Sequence, residues 1–271
     1  MSKSNIIENI SEMKFSDIKD YVKKFILLNS MEKNEEEYFA LIKELSEDKR
    51  RNVNAISKSL ENKVYNFKNE VLRVRGLYDF DKGYGVKLIA GVDEVGRGPL
   101  AGPIVSAAVI LDMNCDDLIL YINDSKKVNK TTREELSEII KAKAISYSIA
   151  EIDNKIIDEK GIGFCNNEIF KRAVSGLSVK PELVLSDGYP IKDFSLRNEF
   201  VIKGDTKSAA IACASILAKV YRDKLMEEYS KIYPYYGFES NVGYGSKEHI
   251  EAIVNHGITE IHRKSFLTNI L

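Results

Sequence analysis

Leu88-Ile89-Ala90-Gly91-Val92-Asp93-Glu94-Val95-Gly96-Arg97-Gly98-Pro99-Leu100-Ala101-Gly102-Pro103 is the stretch on which the fold of this chain turns. Leu88 to Val92 is an apolar run, as in a buried strand. Two adjacent acids end it, and glycines follow at nearly every second position. In a regular strand Asp93 and Glu94 point to opposite faces, so they share one site only if the strand breaks there. Gly96 and Gly98 offer that break and let a ligand approach the main chain closely. Acids beside bare backbone suggest a metal site that touches a substrate, although a plain surface turn is the commoner meaning of an acidic pair before glycine. A dinucleotide loop fits poorly, because the spacing of Gly96, Gly98 and Gly102 is one residue too long and the acids precede the glycines. The Walker pattern is absent. Phosphate beside Asp93 and Glu94 requires an intervening cation, so the loop points to a metal-bridged phosphate.

Two further acids occur in similar settings. Leu183-Val184-Leu185-Ser186-Asp187-Gly188 is again an apolar strand ending in an acid and a glycine. Lys203-Gly204-Asp205-Thr206-Lys207-Ser208 leads into a run of small and apolar residues from Ala209 to Lys219, the composition of a helix packed closely on a sheet. Asp205 and Ser208 are also candidate caps of that helix. Four carboxylates meeting in one place repel one another and raise their own pKa values. Together they make sense as hard oxygen ligands for Mg2+ or Mn2+.

Six segments occur in an order that resembles ribonuclease HII: GVDEVGRGPLAGP at 91–103, DSKK at 124–127, KGDTKS at 203–208, ASILAKVYRD at 214–223, YGFESNVGYGSKEH at 236–249 and HGITEIHRKSF at 256–266. The resemblance spans about residues 88–266. It implies an α/β, ribonuclease H-like fold with a mixed five-stranded sheet flanked by helices. Its first three strands are antiparallel, and the strands ending at Asp93 and Asp187 lie side by side. Asp93, Glu94, Asp187 and Asp205 fall on the family's catalytic, metal-binding acids. Gly96, Arg97 and Gly98 fall on its reader of the 2′-hydroxyl, and Tyr244 on the tyrosine that packs against the neighbouring deoxyribose. The implied activity is hydrolysis 5′ to a ribonucleotide, in RNA/DNA hybrids and in DNA duplexes with single ribonucleotides. The products carry 3′-hydroxyl and 5′-phosphate ends, and the reaction serves ribonucleotide removal from DNA. At 158–164 the chain departs from the pattern, with Gly161 and Gly163 where relatives often have Asn-Ile. Two alternatives are a ribonuclease HIII-like hybrid nuclease and a non-catalytic nucleic-acid-binding protein. The helical extension and the intact Gly96-Arg97-Gly98 speak against the first, and the presence of all four acids against the second.

The residue types agree with that chemistry. Two cations about 3.5–4 Å apart activate a water, stabilise the leaving oxygen and neutralise the phosphate. Main-chain N–H and C=O groups around Gly96, Arg97 and Gly98 are suited to a hydroxyl that both donates and accepts. Arg97 adds a charge suited to phosphate. No histidine is required as a base, and His249, His256 and His262 are expected to be structural or surface residues.

Overall charge is −1, which excludes a generic polyanion binder. Local cationic groups occur at Lys126, Lys127, Lys130 and Arg133, at Lys203 and Lys207, at Lys219 and Arg222, and at Arg263 and Lys264. Lys126 and Lys127 are the candidates for holding a duplex by its phosphates, which makes binding salt-sensitive.

Strands are expected at 104–111 and 144–152, a helix from the capping pattern at Thr131 and Thr132, and another from Ser246 with Ile250, Ile253 and Val254 as its apolar stripe. Residues 1–80 differ from the rest: they are charged, lack proline and show helical periodicity. Ser16 is a candidate cap of a helix carrying Ile18, Tyr21, Val22, Phe25 and Ile26, and Val53 to Val74 fits one long amphipathic helix with Gly76 as its C-cap. The expected organisation is a helical N-terminal extension over 1–80 and a catalytic domain over 81–271. Met1-Ser2-Lys3-Ser4-Asn5 has no signal-peptide character, and no apolar run has the length of a membrane span. Cys115, Cys165 and Cys213 lack zinc or disulfide spacing. A cytoplasmic, monomeric protein with reduced thiols is the expectation, with hybrid and ribonucleotide-containing duplexes as partners.

Overall fold

The structure is a computed structural model that describes residues 10–268 and 270. Met1 to Asn5 and the start of the expected extension therefore lie outside the described residues. The chain divides into two compact units, the first ending at Arg73 and the second beginning at Val74.

The first unit is helical: α1 (Phe15–Leu28), α2 (Glu35–Glu47) and most of α3 (Arg51–Lys82). Their apolar stripes meet in a core of Ile18, Val22, Tyr38, Leu41, Leu45, Val53, Leu60 and Val64. Arg50 ties the α2–α3 turn to the start of the chain. Its guanidinium donates to both Asp48 oxygens and to the carbonyls of Met13, at 2.6 Å, and Ile10, at 2.9 Å. That contact draws the Asp48 carboxyl down to a pKa of about 2. Ser16 lies inside α1 rather than capping it, because its hydroxyl turns to the Asp17 carboxylate and Lys14 takes the cap position. Gly76 likewise does not end α3. Glycine costs about 1 kcal/mol in a helix; burial of Leu77 and Tyr78 in the next turn outweighs it.

The second unit holds a five-stranded sheet in the order β3-β2-β1-β4-β5. Strands β1 (Ile89–Val95), β2 (Ile104–Ile110) and β3 (Ser146–Ile152) run antiparallel, while β4 (Leu183–Asp187) joins β1 in parallel and β5 (Asn198–Val201) joins β4 in parallel. This is the mixed sheet with three antiparallel strands first. Side chains alternate between two cores. Val105, Ala107 and Val109 face α4 (Lys130–Lys143) and α7 (Ala209–Ile232), whereas Ile104, Ala108 and Ile110 face α5 (Asn154–Lys160) and α6 (Ile162–Ser175). A C-terminal segment carries α8 (Phe238–Asn241) and α9 (Lys247–His256).

Local capping follows polar side chains. Ser208 accepts from the Ile211 N–H at the start of α7, and Ser246 from the His249 N–H at the start of α9. The start of α4 differs from expectation: Asn129, not the Thr131-Thr132 pattern, accepts the Thr132 N–H. The inner stripe of α9 is His249, Ala252 and Ile253, and Val254 is 66% exposed. Gly161, at φ +81°, ends α5 and begins α6, so the departure from the family pattern marks the junction between two helices.

The tightest packing is between β1 and α7. A Cβ built on Gly91 would stand 2.1 Å from the Ala210 carbonyl carbon and 2.2 Å from the Ile211 nitrogen, so only glycine lets the backbones meet. Gly91→Ala must push α7 away from the sheet, with an overpacking cost of about 1–3 kcal/mol. The expected outcome is a lowered thermal midpoint by calorimetry, whereas Gly163→Ala, inside α6 with nothing within 4 Å, does not lower the midpoint and raises it by up to the helix-propensity gain of about 1 kcal/mol.

Candidate active site

Strand pairing brings the acids together. Val92 pairs with Ser186 across the parallel β1–β4 ladder, and the next residues on the two strands are Asp93 and Asp187. Strand β1 does not break at the acids. It runs on to Val95, with Asp93 opposite Ala107 and Glu94 opposite Ser106, and the break comes at Gly96, where φ is +91°. Asp205 sits in the short turn after β5, and the N–H of the preceding Gly204 donates to Asp187 Oδ1 at 2.6 Å.

All four carboxyls are destabilised as anions, first by burial and at three of them also by the charge of Asp187. Burial raises the Asp93 pKa well above the ordinary value, with further contributions from the charges of Glu94 and Asp187. Burial pushes Glu94 up to about 7, against the opposing pull of Arg97, whose Nη1 lies 3.6 Å from Glu94 Oε1. Asp205 rises to about 6 through burial and then the charges of Asp187 and Asp124, and Asp187 rises chiefly through burial. Partial compensation comes from the Glu94 N–H on Asp93 Oδ1, at 2.7 Å, and from the Ser215 hydroxyl. Among the described residues no three His, Cys, Asp or Glu side chains form a ready-made metal cage. The donor set nevertheless fits a hard divalent cation, because crowded carboxylates with raised pKa values are what such an ion relieves.

The loop after β1 is held by two arginines with no exposed surface, Arg222 of α7 and Arg263. Arg222 donates to the carbonyls of Pro103, Val242 and Ala101 at 3.0, 2.8 and 3.2 Å. Arg263 donates to those of Gly102, Arg97 and Gly96 at 2.9, 3.0 and 2.6 Å. Burial lowers their pKa values to about 10 and about 9, and both stay protonated at neutral pH. Two carbonyls of the Gly96-Arg97-Gly98 motif are therefore already engaged. Gly96 must be glycine here: besides its φ, a Cβ would stand 2.4 Å from Arg222 Nε. Tyr244, 43% exposed, stands over Gly98, with its ring 3.8 Å from where a Gly98 Cβ would lie.

Of the cationic groups singled out in the sequence, only some remain available. Lys130 pairs with Glu227, while Arg133 and Lys219 both pair with Asp223. Lys126 and Lys127 lie where their charges act on the acids: Lys126 on Glu94, Asp187 and Asp205, and Lys127 on Asp205. Asp124 organises that turn, accepting the Lys126 N–H on its side chain and the Lys127 N–H on its carbonyl. Sequence reasoning passed over Asp124, Ser215, Arg222 and Arg263 as members of the site. Their signal was their place inside the recurring motifs, where only the residues of obvious chemistry drew attention.

Comparison with known proteins agrees with this geometry. Residues 90–269 match the ribonuclease HII family. Ribonuclease HII of Clostridium perfringens is 59% identical over 266 residues, 97% of each chain, and that of Clostridium beijerinckii is 56% identical over 267 residues, 97% of this chain and 98% of the relative. Among solved structures, ribonuclease H2 from Pyrococcus horikoshii superposes with a TM-score of 0.58 at 26% identity, covering 68% of this chain and 96% of its own. Ribonuclease HII from Archaeoglobus fulgidus, solved in complex with PCNA, gives 0.56 at 28% identity, covering 65% and 94%. Likeness that extends through the sheet, the acid-bearing strands and nearly the whole length of the bacterial relatives makes this chain a member of the ribonuclease HII family, and so a ribonuclease H enzyme.

Proposed function

We propose that this enzyme cuts the phosphodiester on the 5′ side of a ribonucleotide, both in RNA/DNA hybrids and in DNA duplexes with single ribonucleotides, and thereby serves ribonucleotide removal from DNA. The observation that carries the reading is the parallel pairing of β1 with β4, with Asp93 and Asp187 at adjacent positions and the Asp205 turn hydrogen-bonded to Asp187. Ribonuclease HII enzymes depend on divalent metal, and here Asp93, Glu94, Asp187 and Asp205 would hold Mg2+ or Mn2+. When bound, a pair of such ions supplies an activated water and charge neutralisation at the leaving oxygen. Asp93, buried at the centre of the sheet, is the best-placed shared ligand. Arg97 serves as the counter-ion of Glu94 in the metal-free protein and is free to meet substrate phosphate once a cation takes its place.

Junction selection in this proposal rests on the loop and on Tyr244. A 2′-hydroxyl donates and accepts. With the Gly96 and Arg97 carbonyls held by Arg263, the Arg97 and Gly98 N–H groups and the Gly98 carbonyl are the reading groups. Tyr244 stacks on the following sugar and disfavours a second 2′-hydroxyl there. Lys126 and Lys127 contact phosphate. The same reading assigns 81–271 to catalysis and 1–80 to a helical extension.

Asp93→Asn is expected to lower cleavage of a duplex with one ribonucleotide by a factor on the order of 10³, the scale of losing one preorganised electrostatic group, while binding to that duplex in chelator is retained. Undiminished cutting refutes the assignment. Cutting only long hybrids moves the enzyme toward ribonuclease HIII, and metal-independent binding without any cutting favours the binding-only alternative.

The raised acids also predict a stability effect. Glu94 titrates near 7 in the folded protein against 4.5 for an ordinary glutamate, so between those values the native state holds the extra proton. Stability from this group is complete below about 4.5 and is lost as pH rises through 7. Glu94→Gln should therefore raise the thermal midpoint of the chelator-treated enzyme at pH 8 and leave it almost unchanged near pH 4.5. Added Mg2+ should raise the wild-type midpoint at pH 8 more than that of the variant.

A further inference from the structure

Two histidines that the proposed chemistry does not use are buried together in the C-terminal segment. His249 of α9 and His262 have 0% and 1% exposure, and their Nε2 atoms lie 3.1 Å apart. A neutral imidazole has one N–H and one bare nitrogen, and each partner fixes which is which. The Thr259 main-chain N–H points at His262 Nδ1, at 2.9 Å, with the Thr259 hydroxyl 2.8 Å from the same nitrogen. A main-chain N–H only donates, so this nitrogen is bare and the His262 proton sits on Nε2. That proton is donated to His249 Nε2, which is therefore bare in turn. The His249 proton then lies on Nδ1, 2.8 Å from the Tyr244 carbonyl, which only accepts. Both ends of the chain demand the same direction, Thr259 to His262 to His249 to Tyr244.

The surroundings hold this arrangement still. The rings of Tyr236 and Phe238 meet His249 edge-on at 6.3 and 5.2 Å, and Tyr236 meets His262 edge-on at 5.2 Å. A second proton on either ring would set N–H against N–H, either between the two Nε2 atoms or against Thr259. Burial acts in the same sense, taking His262 down to about 4 and lowering His249 as well. Gly243, the residue before Tyr244, is held from the other side, since its carbonyl accepts the N–H groups of Leu100 and Ala101 at 2.8 and 3.3 Å. Tyr244 is thus tethered between the reading loop and the histidines, with only its ring at the surface.

We propose that His249 and His262 form a one-way hydrogen-bond relay that fixes the main chain at Tyr244, making them positioning residues for recognition of the ribose–deoxyribose junction. The inference rests on the reading of Tyr244 given above, and the test separates the two. Full-length wild type, Tyr244→Ala, His249→Ala and His249→Asn are assayed on a duplex with one ribonucleotide and on a long RNA/DNA hybrid, below the thermal midpoint of each variant. Asn keeps an N–H donor near the position of Nδ1. Tyr244→Ala and His249→Ala are expected to lower kcat/KM on the single-ribonucleotide duplex about tenfold more than on the hybrid, the worth of about one net hydrogen bond. His249→Asn should restore the ratio even though it leaves His262 without a partner.

If Tyr244→Ala shifts the ratio while His249→Ala lowers both substrates equally or neither, the pair is ordinary core and the relay is refuted. If Tyr244→Ala itself leaves the ratio unchanged, the reading of Tyr244 falls and the relay falls with it. Nitrogen-15 NMR of the wild-type imidazoles tests the direction of the relay without any variant. Protons on His262 Nε2 and His249 Nδ1 at neutral pH support the relay, and either opposite tautomer or a doubly protonated ring overturns it.

Discussion

Crowded negative charge is the condition to which the second unit is built. Burial makes Asp93, Glu94, Asp187 and Asp205 harder to ionise, the charge of Asp187 adds to this at the other three and that of Glu94 at Asp93, and side chains alone would swing apart. They stay together because their positions belong to backbone ladders: β1 with β2 on one side, β1 with β4 on the other, and the Gly204 turn bonded to Asp187. The groups that blunt the repulsion are main-chain N–H groups, a serine hydroxyl and the cations Arg97 and Lys126.

The loop that follows the acids is governed by charge of the opposite sign. Among the described residues neither buried arginine, Arg222 or Arg263, forms an ion pair with a carboxylate, and each instead collects three carbonyl oxygens. A lysine's three donors radiate from one atom, whereas each guanidinium here serves three carbonyls from its three separate nitrogens, held in one rigid plane. Six carbonyl dipoles converging on two cations fix the path of residues 96–103 more firmly than glycine-rich backbone would hold itself. The glycines therefore do not make this loop mobile. They admit the arginine side chains, as the 2.4 Å approach of Arg222 to a Cβ at Gly96 makes plain.

Much of this was legible in the chain. Apolar runs ending in Asp93 and Asp187 marked the strands, the small residues after Ser208 marked the helix on the sheet, and the ordered motifs marked the family and its four acids. The failures share a cause: local signals lost to tertiary context. Gly76 looked like a helix end because no local pattern shows that Leu77 and Tyr78 enter a core. Asn129 displaced the Thr131-Thr132 pattern because its side chain caps α4 from Lys130 onward, which puts both threonines inside the first turn. Val254 matched the stripe of α9 on spacing alone, while His249 took the buried place because its two ring nitrogens found partners. Arg222 and Arg263 looked like surface charge, since a sequence does not display the carbonyl oxygens that would receive them.

Those occupied carbonyls also bear on how a ribose would be told from a deoxyribose. A site that only accepted hydrogen bonds would leave its oxygens unpaired beside a deoxyribose, and one that only donated would do the same with its N–H groups. Arg263 removes two acceptors from the Gly96-Arg97-Gly98 motif, and among the described residues no hydrogen bond takes the N–H of Arg97 or Gly98. In the proposed reading a deoxyribose therefore strands the Arg97 and Gly98 N–H groups together with the one remaining acceptor, the Gly98 carbonyl, next to a cationic Arg97 and under the partial cover of Tyr244. An unpaired donor shielded from water costs about 1–3 kcal/mol, enough for roughly a tenfold to hundredfold preference from each such group. Discrimination of this kind needs a rigid loop, because a mobile one would turn its N–H groups to water and recover the loss. In that reading the buried arginines bear on selectivity as well as on folding.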